Sequence, residues 1–211
     1  VNLSHNKNTV DKLSNSTYSV DYVDWSDPDI VGISSNGNTQ RIMEGEPLGT
    51  FWTYKHAGYD TNGNSVFLVH DLDSHKDAEG NVQADTYQDA NGNWVTSNPK
   101  WGDKTNCGNA QPKLVYGWNN TLNYKNWSLT AFFQGVLGNK ILNATKAHYS
   151  FQGHVAGGKN VLAEVVNDKT WQADANAHIP SDKYIENGSY LRLFTLTLGY
   201  TFTNLADWAK S

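Results

Sequence analysis

Eight tryptophans are spread along this chain of 211 residues, and several lie in stretches whose composition is typical of loops. Three of them, Trp94, Trp101 and Trp171, are surrounded by turn-forming residues, and Trp25 is a fourth loop tryptophan. An indole ring offers a flat apolar surface on which the C–H face of a sugar ring can stack. We therefore predict that Trp94, Trp101 and Trp171 contact substrate. Packing of the loops against one another is the alternative for each ring.

Part of a calcium-loop pattern occurs further along the same region. Asp60, Asn62, Asn64 and Asp71 occupy the first, third, fifth and twelfth positions of that pattern. The sixth position, which needs a glycine for a sharp turn, is Ser65, and the last ligand is a short Asp in place of the usual Glu. A hairpin turn is the default interpretation of this segment, with calcium binding as the alternative.

No other residues have the spacing of a catalytic or metal centre. The seven histidines show neither an H-E-x-x-H motif nor paired-ligand spacing. His70 and His75, with Asp71 and Asp73 beside them, are interpreted as a solvated loop. Cys107 is the single cysteine, which forbids an internal disulfide framework. We therefore expect no enzymatic activity, no catalytic residues, no bound metal and no cofactor.

The composition favours strands and turns, and it excludes two classes of protein. Asn, Gly, Thr, Tyr and Trp are abundant, whereas charged residues make up only 18% of the chain. A net charge of −5 without a Lys/Arg run does not suit a nucleic-acid-binding protein. No apolar run approaches the length of about 18 residues that a transmembrane helix needs. The opening residues do not have the pattern of a signal peptide, so none is expected.

Long strands are predicted from strict alternation between a large apolar face and a small polar one. They are expected over residues 113–124, 127–138 and 190–203, and a poorer one over residues 1–13. At about 3.3 Å per residue and a tilt near 45°, strands of this length cross the apolar core of a bilayer. Aromatic residues lie near the ends of the apolar faces, as in membrane-interface girdles.

The facing of the last strand is predicted from the same alternation. Phe194, Leu196 and Leu198 should share its apolar face, whereas Leu193 and Thr195 should lie on the other.

The connections between these strands differ greatly in length. Lys125-Asn126 is a tight turn, whereas residues 16–112 and 139–188 form long connections. We interpret residues 16–112 as irregular structure with small hairpins at Asn-Gly pairs. Short turns on one side and long loops on the other are typical of outer-membrane barrels. The predicted fold is all-β, an antiparallel transmembrane β-barrel segment with long extracellular loops; a soluble sandwich is the alternative.

Four motifs resemble the SusC/RagA family of TonB-dependent outer-membrane transporters. They are Ser4-His-Asn-Lys-Asn8, Glu44-Gly-Glu-Pro-Leu-Gly-Thr-Phe-Trp-Thr-Tyr-Lys55, Gln111-Pro-Lys-Leu-Val-Tyr-Gly-Trp-Asn-Asn-Thr121, and Gly188-Ser-Tyr-Leu-Arg-Leu193 with Leu198-Gly-Tyr200. The second resembles the family's G-x-P-[IL]-G-x-[FY]-[YW] stretch, and the last resembles its SYLRL…LGY stretch. The motifs follow the family's order and cover most of the chain.

The resemblance implies that residues 1–211 are part of the C-terminal barrel region, without the plug domain. It implies a nutrient importer in the cell outer membrane of a Gram-negative bacterium, taking up oligosaccharides or peptides. The implied partners are a SusD-like surface lipoprotein, membrane lipid, and the TonB complex acting through the plug that this stretch lacks. No nucleic-acid partner is expected. The alternative function is a soluble secreted β-sandwich that binds carbohydrate.

The loop lengths generate a prediction about orientation. Protease added to intact cells that carry the complete protein should cut within residues 16–112 and 139–188, because long loops face the cell exterior. Lys125 should be spared, because a tight turn would face the periplasm. Mass spectrometry of the released peptides locates the cut sites. Cleavage at Lys125 in intact cells would show that the topology is the reverse of the one predicted.

Overall fold

Antiparallel strands dominate the computed structural model, which describes residues 1–25, 38–168 and 174–202. The predicted all-β class is thereby confirmed. In chain order the strands are β1 (Asn2–Ser4), β2 (Tyr22–Trp25), β3 (Gln40–Met43), β4 (Thr50–Thr53), β5 (His56–Tyr59), β6 (Ser65–Leu68), β7 (Thr86–Gln88), β8 (Trp94–Thr96), β9 (Thr105–Asn109), β10 (Leu114–Tyr124), β11 (Trp127–Leu137), β12 (Lys140–Leu142), β13 (Ile185–Asn187) and β14 (Tyr190–Tyr200).

The helices are short. The described residues form α1 (Ala144–Tyr149), α2 (Gly153–Ala156) and α3 (Ala163–Asn167), with 3-10 turns at Leu72–His75, Trp101–Asp103 and Asp182–Tyr184. None of the helices in the described part of the chain has the length and apolar character needed to cross a membrane.

The chain divides into two compact units. The first contains residues 1–7, 111–139 and those from 187 onward, and the second contains residues 8–110 and 140–186. The two long connections predicted from the sequence therefore fold mostly together, in the second unit.

The first unit is one four-stranded sheet with the order β1-β10-β11-β14. β10 and β11 pair along their full length, from Leu114 opposite Leu137 to Tyr124 opposite Trp127. The turn between them contains only Lys125 and Asn126, and Lys125 has a positive φ of 52°. A positive φ suits a two-residue turn, because it matches the twist of the flanking strands.

The strand expected over residues 1–13 is much shorter in the structure. β1 ends at Ser4, which pairs with Val115, so the next residue would already face the first residue of β10. Beyond that point no β10 residue remains as a partner. From Asn8 the chain belongs to the second unit, where Val10 N–H donates to the Glu46 carbonyl at 3.0 Å.

A β-bulge reverses part of the predicted facing of β14. Phe132 opposes Thr195 whereas Phe133 opposes Leu193, so Phe194 is an extra residue. The Phe194 ring contacts the Phe132 ring, with centroids 5.8 Å apart, and it therefore lies on the polar face. The prediction that Phe194 shares the apolar face and Leu193 the polar one was wrong. The extra residue breaks the alternation, which a count along the sequence alone assumes to be unbroken.

The second unit has more regular structure than the irregular loops that were expected. Two four-stranded sheets have the orders β2-β3-β4-β9 and β5-β6-β8-β7, and β12 pairs with β13. Tyr54, Phe67 and Ile179 form a buried apolar cluster. Because Ile179 comes from the second long connection, this cluster joins both connections into one core.

Three turns of the same design shape this unit. Residues 60–64, 77–81 and 89–93 share the pattern D-x-[NE]-G-N, with glycine φ values of 85°, 86° and 82°. In each, one Asp oxygen accepts two backbone N–H groups and the other accepts the Asn side-chain amide. The turn interpretation of the first and third copies is confirmed, and the second copy has Glu79 where the others have Asn.

Gly135 in β11 is predicted to tolerate no side chain. An added Cβ would collide with the Tyr190 carbonyl oxygen and with the Tyr116 hydroxyl, which donates to that carbonyl at 3.3 Å. Gly135→Ala should cost about 1–3 kcal/mol through overpacking. Urea unfolding of the complete protein in lipid vesicles measures this loss in the free energy of unfolding.

Gly117 in β10 provides the matched control. A Cβ there meets the Phe132 ring at 3.4 Å, an ordinary contact, so Gly117→Ala should be close to neutral. Equal losses from the two substitutions would contradict the close packing at Gly135.

Candidate functional site

One face of the four-stranded sheet in the first unit is apolar across all its strands. Directly opposed residues share a face, so the register defines the apolar face completely. It carries Leu3 of β1; Leu114, Tyr116, Trp118, Asn120, Leu122 and Tyr124 of β10; Trp127, Leu129, Ala131, Phe133, Gly135 and Leu137 of β11; and Leu191, Leu193, Leu196, Leu198 and Tyr200 of β14. Asn120 is the one amide in this set.

The side chains of the apolar face are largely uncovered. Leu122 is 59% exposed and Leu198 is 65% exposed. Large contiguous apolar surfaces are rare on soluble monomers, and they mark contact with another protein or with lipid. A face of this size needs a covering that the described residues do not provide.

Aromatic rings form a row across the sheet beside the Lys125-Asn126 turn. Tyr124, Trp127 and Tyr200 are direct neighbours in the register. The ring centroids of Trp127 and Tyr200 are 4.8 Å apart, in an edge-on arrangement. A second aromatic pair, Trp118 and Phe133, stacks at 5.4 Å further along the strands. The apolar face therefore has aromatic rings towards its end, where an amphipathic ring meets a membrane interface favourably.

The opposite face of the same sheet is polar and carries small side chains. Asn119, Thr121, Thr130, Gln134 and Thr197 all lie on it. Near β1 this face has a concavity of about 520 Å³.

The β-bulge adds an aromatic and cationic group to the polar face. The Arg192 guanidinium carbon lies 5.2 Å from the Phe194 ring centre and 5.5 Å from the Tyr190 ring centre. Arg192 opposes Gln134 in the register. The polar face therefore offers hydrogen-bonding groups and one cation backed by aromatic rings.

Trp101 lies in a group of cations and aromatic rings in the second unit. It is 45% exposed, and the Lys104 ammonium nitrogen lies 3.9 Å from its ring centre. The Arg41 guanidinium forms an ion pair with Asp24 at 2.8 Å and lies 3.6 Å from the centre of the Tyr22 ring. Trp101 therefore has a cation against its ring and nearly half its surface open to a ligand.

Burial shifts the proton affinity of the lysine in this group. Lys104 is almost fully buried, and burial lowers its pKa to about 8. Asp24 acts in the opposite direction, and Arg41 lowers the pKa further. The Lys104 ammonium donates to the Asn38 carbonyl at 3.0 Å.

Trp94 does not join Trp101. Trp94 lies in β8 opposite Gln88 and is half-buried. Among the described side chains, no ring contact links Trp94 to Trp101. Trp171 lies outside the described residues, and Trp25 is described only as part of β2. The predicted substrate contacts of Trp94, Trp101 and Trp171 stay predictions.

A buried Thr-His-Asp arrangement exists that the sequence did not reveal. His75 Nε2 donates to the Asp103 carboxylate at 2.6 Å, and Thr86 Oγ1 lies 3.1 Å from His75 Nδ1. His75 and Asp103 have no exposed surface, so no substrate can reach them. Asp103 also accepts N–H groups from His70, Asp71 and Lys100. The arrangement therefore holds two loop segments together, and the solvated loop interpretation of His75 was wrong.

A second buried network joins the two long connections. Ser65 Oγ donates to the Asp174 carboxylate at 2.5 Å, and Lys183 Nζ lies 3.2 Å from the same group. His56 Nε2 lies 3.1 Å from Ser65 Oγ, and burial, followed by the charge of Lys183, lowers the His56 pKa. Ser65 and Asp174 are both buried, so a substrate cannot reach the hydroxyl and the network is structural.

The calcium-loop pattern does not come together as a site. Both carboxylate oxygens of Asp60 accept hydrogen bonds from Asn62 and Asn64 within their own turn. The whole of β6 separates Asp71 from that turn. In the described part of the chain, no group of three or more His, Cys, Asp or Glu side chains is placed to hold a metal ion.

The structure also brings together two histidines that the sequence did not indicate as a pair. The rings of His148 and His154 lie with their centroids 4.6 Å apart, where α1 ends and α2 begins. Their spacing fits no standard ligand motif, since two separate short helices bring them together.

Known proteins resemble this chain over nearly its whole length. No family profile matches the chain. TonB-dependent receptor P3 of Formosa agariphila is 32% identical over 209 residues, covering 94% of this chain and 19% of the receptor. TonB-dependent receptor SusC of Bacteroides thetaiotaomicron is 25% identical over 209 residues, covering 97% of this chain and 18% of that protein. The chain thus spans about a fifth of the length of the curated relatives it matches.

Solved structures agree on the fold. The RagAB peptide transporter matches with a TM-score of 0.69 and 20% identity, over 96% of this chain and 20% of that one. The RagAB peptide importer in its open-open state matches with a TM-score of 0.63 and 18% identity, over the same shares of the two chains. The fold is therefore that of a segment of a transporter barrel, as predicted. The resemblance to the SusC/RagA family of TonB-dependent receptors, expected from four motifs, is confirmed over nearly the whole length of this chain.

Proposed function

We propose that this chain forms part of the barrel wall of a TonB-dependent outer-membrane importer of nutrients. The observation that carries the proposal is the uncovered apolar face of β10, β11 and β14. Each of these strands has 11 residues, or about 36 Å at about 3.3 Å per residue. At a tilt near 45° this length matches an apolar band about 25 Å tall, the height found on outer-membrane barrels.

The edges of the sheet support the same proposal. β1 and β14 are its outermost strands, and each has a strand partner on one side only in the described sheet. In lipid each unmet backbone N–H or C=O group costs several kcal/mol, so a spanning sheet must close. We infer that neighbouring strands of the complete barrel pair with both edges.

A soluble sandwich is the weaker alternative. It requires a second sheet over the apolar face, yet Leu196 and Leu198 remain more than half exposed. Burying a leucine side chain is worth about 1.5–3 kcal/mol, so a sandwich would not leave a whole face uncovered.

The polar face would line the transport path. Its amides, hydroxyls and glycines suit weak, reversible contacts with hydrated oligosaccharides or peptides. No covalent bond of the substrate would be made or broken. Trp101 would add a stacking surface for substrate in the second unit. We propose that substrate binding and release, not catalysis, is the task of these residues.

The proposed partners are those that the resemblance to the SusC/RagA family implies. A SusD-like surface lipoprotein would cooperate in capturing the substrate, and the TonB complex would supply energy through a plug domain in the complete protein. Residues 16–112 and 139–188 would lie outside the cell, and the Lys125-Asn126 turn would lie in the periplasm. Membrane lipid would cover the apolar face.

The lipid assignment predicts opposite tolerance at neighbouring positions of β14. Leu196→Arg should cost about 2–4 kcal/mol, because it places a charge near the middle of the bilayer. Thr197→Arg should be much milder, because its side chain would meet water in the lumen. Denaturant unfolding of the complete protein in lipid vesicles measures both free energies, and equal losses would argue against the barrel wall.

The substrate assignment predicts a role for the Trp101 ring. Trp101→Ala should weaken substrate binding by about 1 kcal/mol, or roughly fivefold, because a stacked ring contributes on that scale. Trp101→Phe keeps an aromatic surface and should retain most of the affinity. Calorimetric titration of the complete protein with the transported oligosaccharide or peptide measures both variants. Wild-type affinity in Trp101→Ala would show that the ring only packs the loop.

A further inference from the structure

His148 and His154 form a compact pair in the second unit. His148 belongs to the last turn of α1, and His154 lies near the start of α2. The Phe151 ring supports the pair, with its centroid 5.4 Å from that of His154. The His178 ring also contacts the Phe151 ring, with centroids 5.0 Å apart.

Both rings have a buried nitrogen without a hydrogen-bond partner. These atoms are Nδ1 of His148 and Nε2 of His154. A buried polar atom without a partner costs about 1–3 kcal/mol, so such atoms are uncommon in folded proteins. Two of them on adjacent rings indicate a shared ligand.

The two unpartnered nitrogens can act as metal ligands. In a neutral imidazole one ring nitrogen carries the proton and the other keeps a lone pair, which can bind a metal ion. His148 Nδ1 and His154 Nε2 make no hydrogen bond, so a lone pair on either atom is available to a metal ion.

The distance between the rings also fits a shared metal ion. A metal–nitrogen bond of about 2.0–2.1 Å places each imidazole centre about 3.2 Å from the metal. Two such rings at angles between square-planar and tetrahedral lie about 4.5–5.2 Å apart. The observed centroid separation of 4.6 Å lies within that range.

We propose that His148 Nδ1 and His154 Nε2 together bind one divalent transition-metal ion, with water completing its coordination. Imidazole ligands suit Zn²⁺, Cu²⁺ and Ni²⁺, and they do not suit Ca²⁺ or Mg²⁺. The ion would hold α1 against α2. This inference does not depend on the transport proposal.

Copper(II) is the probe for the first experiment, with the complete protein purified in detergent without a polyhistidine tag. Electron paramagnetic resonance should show a copper centre with nitrogen coupling. His148→Ala and His154→Ala should each weaken copper binding more than about tenfold. His70→Ala is the matched control, since His70 is an exposed histidine elsewhere in the same unit. A nitrogen-coupled signal that survives in both single variants would overturn the proposal.

A second experiment needs no variant and so does not depend on how a variant folds. X-ray absorption spectroscopy at the zinc edge reports the ligands of the bound ion directly. With one equivalent of Zn²⁺, the wild-type protein should show two imidazole ligands per zinc, with oxygen ligands completing the shell. A zinc shell with fewer than two imidazole ligands would refute the site.

Discussion

The register between β10 and β11 is the constraint on which the rest of the first unit depends. A shift of one residue would exchange the two faces of the sheet, because side chains alternate along a strand. The two-residue turn at Lys125-Asn126 prevents that shift, and all 11 residue pairs follow from it. β1 and β14 then add their apolar residues to a face that is already defined.

In the second unit, buried ionic groups hold distant segments in place. The Asp103 carboxylate accepts hydrogen bonds from His75 and from three backbone N–H groups. The Asp174 carboxylate accepts a hydrogen bond from Ser65 and pairs with Lys183. Removing one partner from such a group leaves an unpaired buried charge, which is strongly destabilising. The Asp174 network connects segments more than a hundred residues apart in the chain, through Ser65 and Asp174. Both networks allow Asn-rich segments with few large apolar residues to keep a defined structure.

The β-bulge in β14 changes which residues lie on each face of the sheet. It moves Phe194 to the polar face beside Phe132 and returns Leu193 to the apolar face. Bulges occur often at barrel rims and beside binding sites, where they redirect a side chain. One inserted residue thus keeps the apolar face continuous and also gives the polar face an aromatic group next to Arg192.

The sequence by itself determined the long strands, the tight turn at Lys125-Asn126 and the resemblance to the SusC/RagA family, because alternation and short motifs are local properties of the chain. Only the tertiary structure decided the length of β1, the facing of Phe194, and the meeting of His75 with Asp103 and of His148 with His154. Each of these depends on which distant segment is available as a partner. Residue spacing carries no information about such a partner, so contacts between remote segments become visible only when the chain is folded.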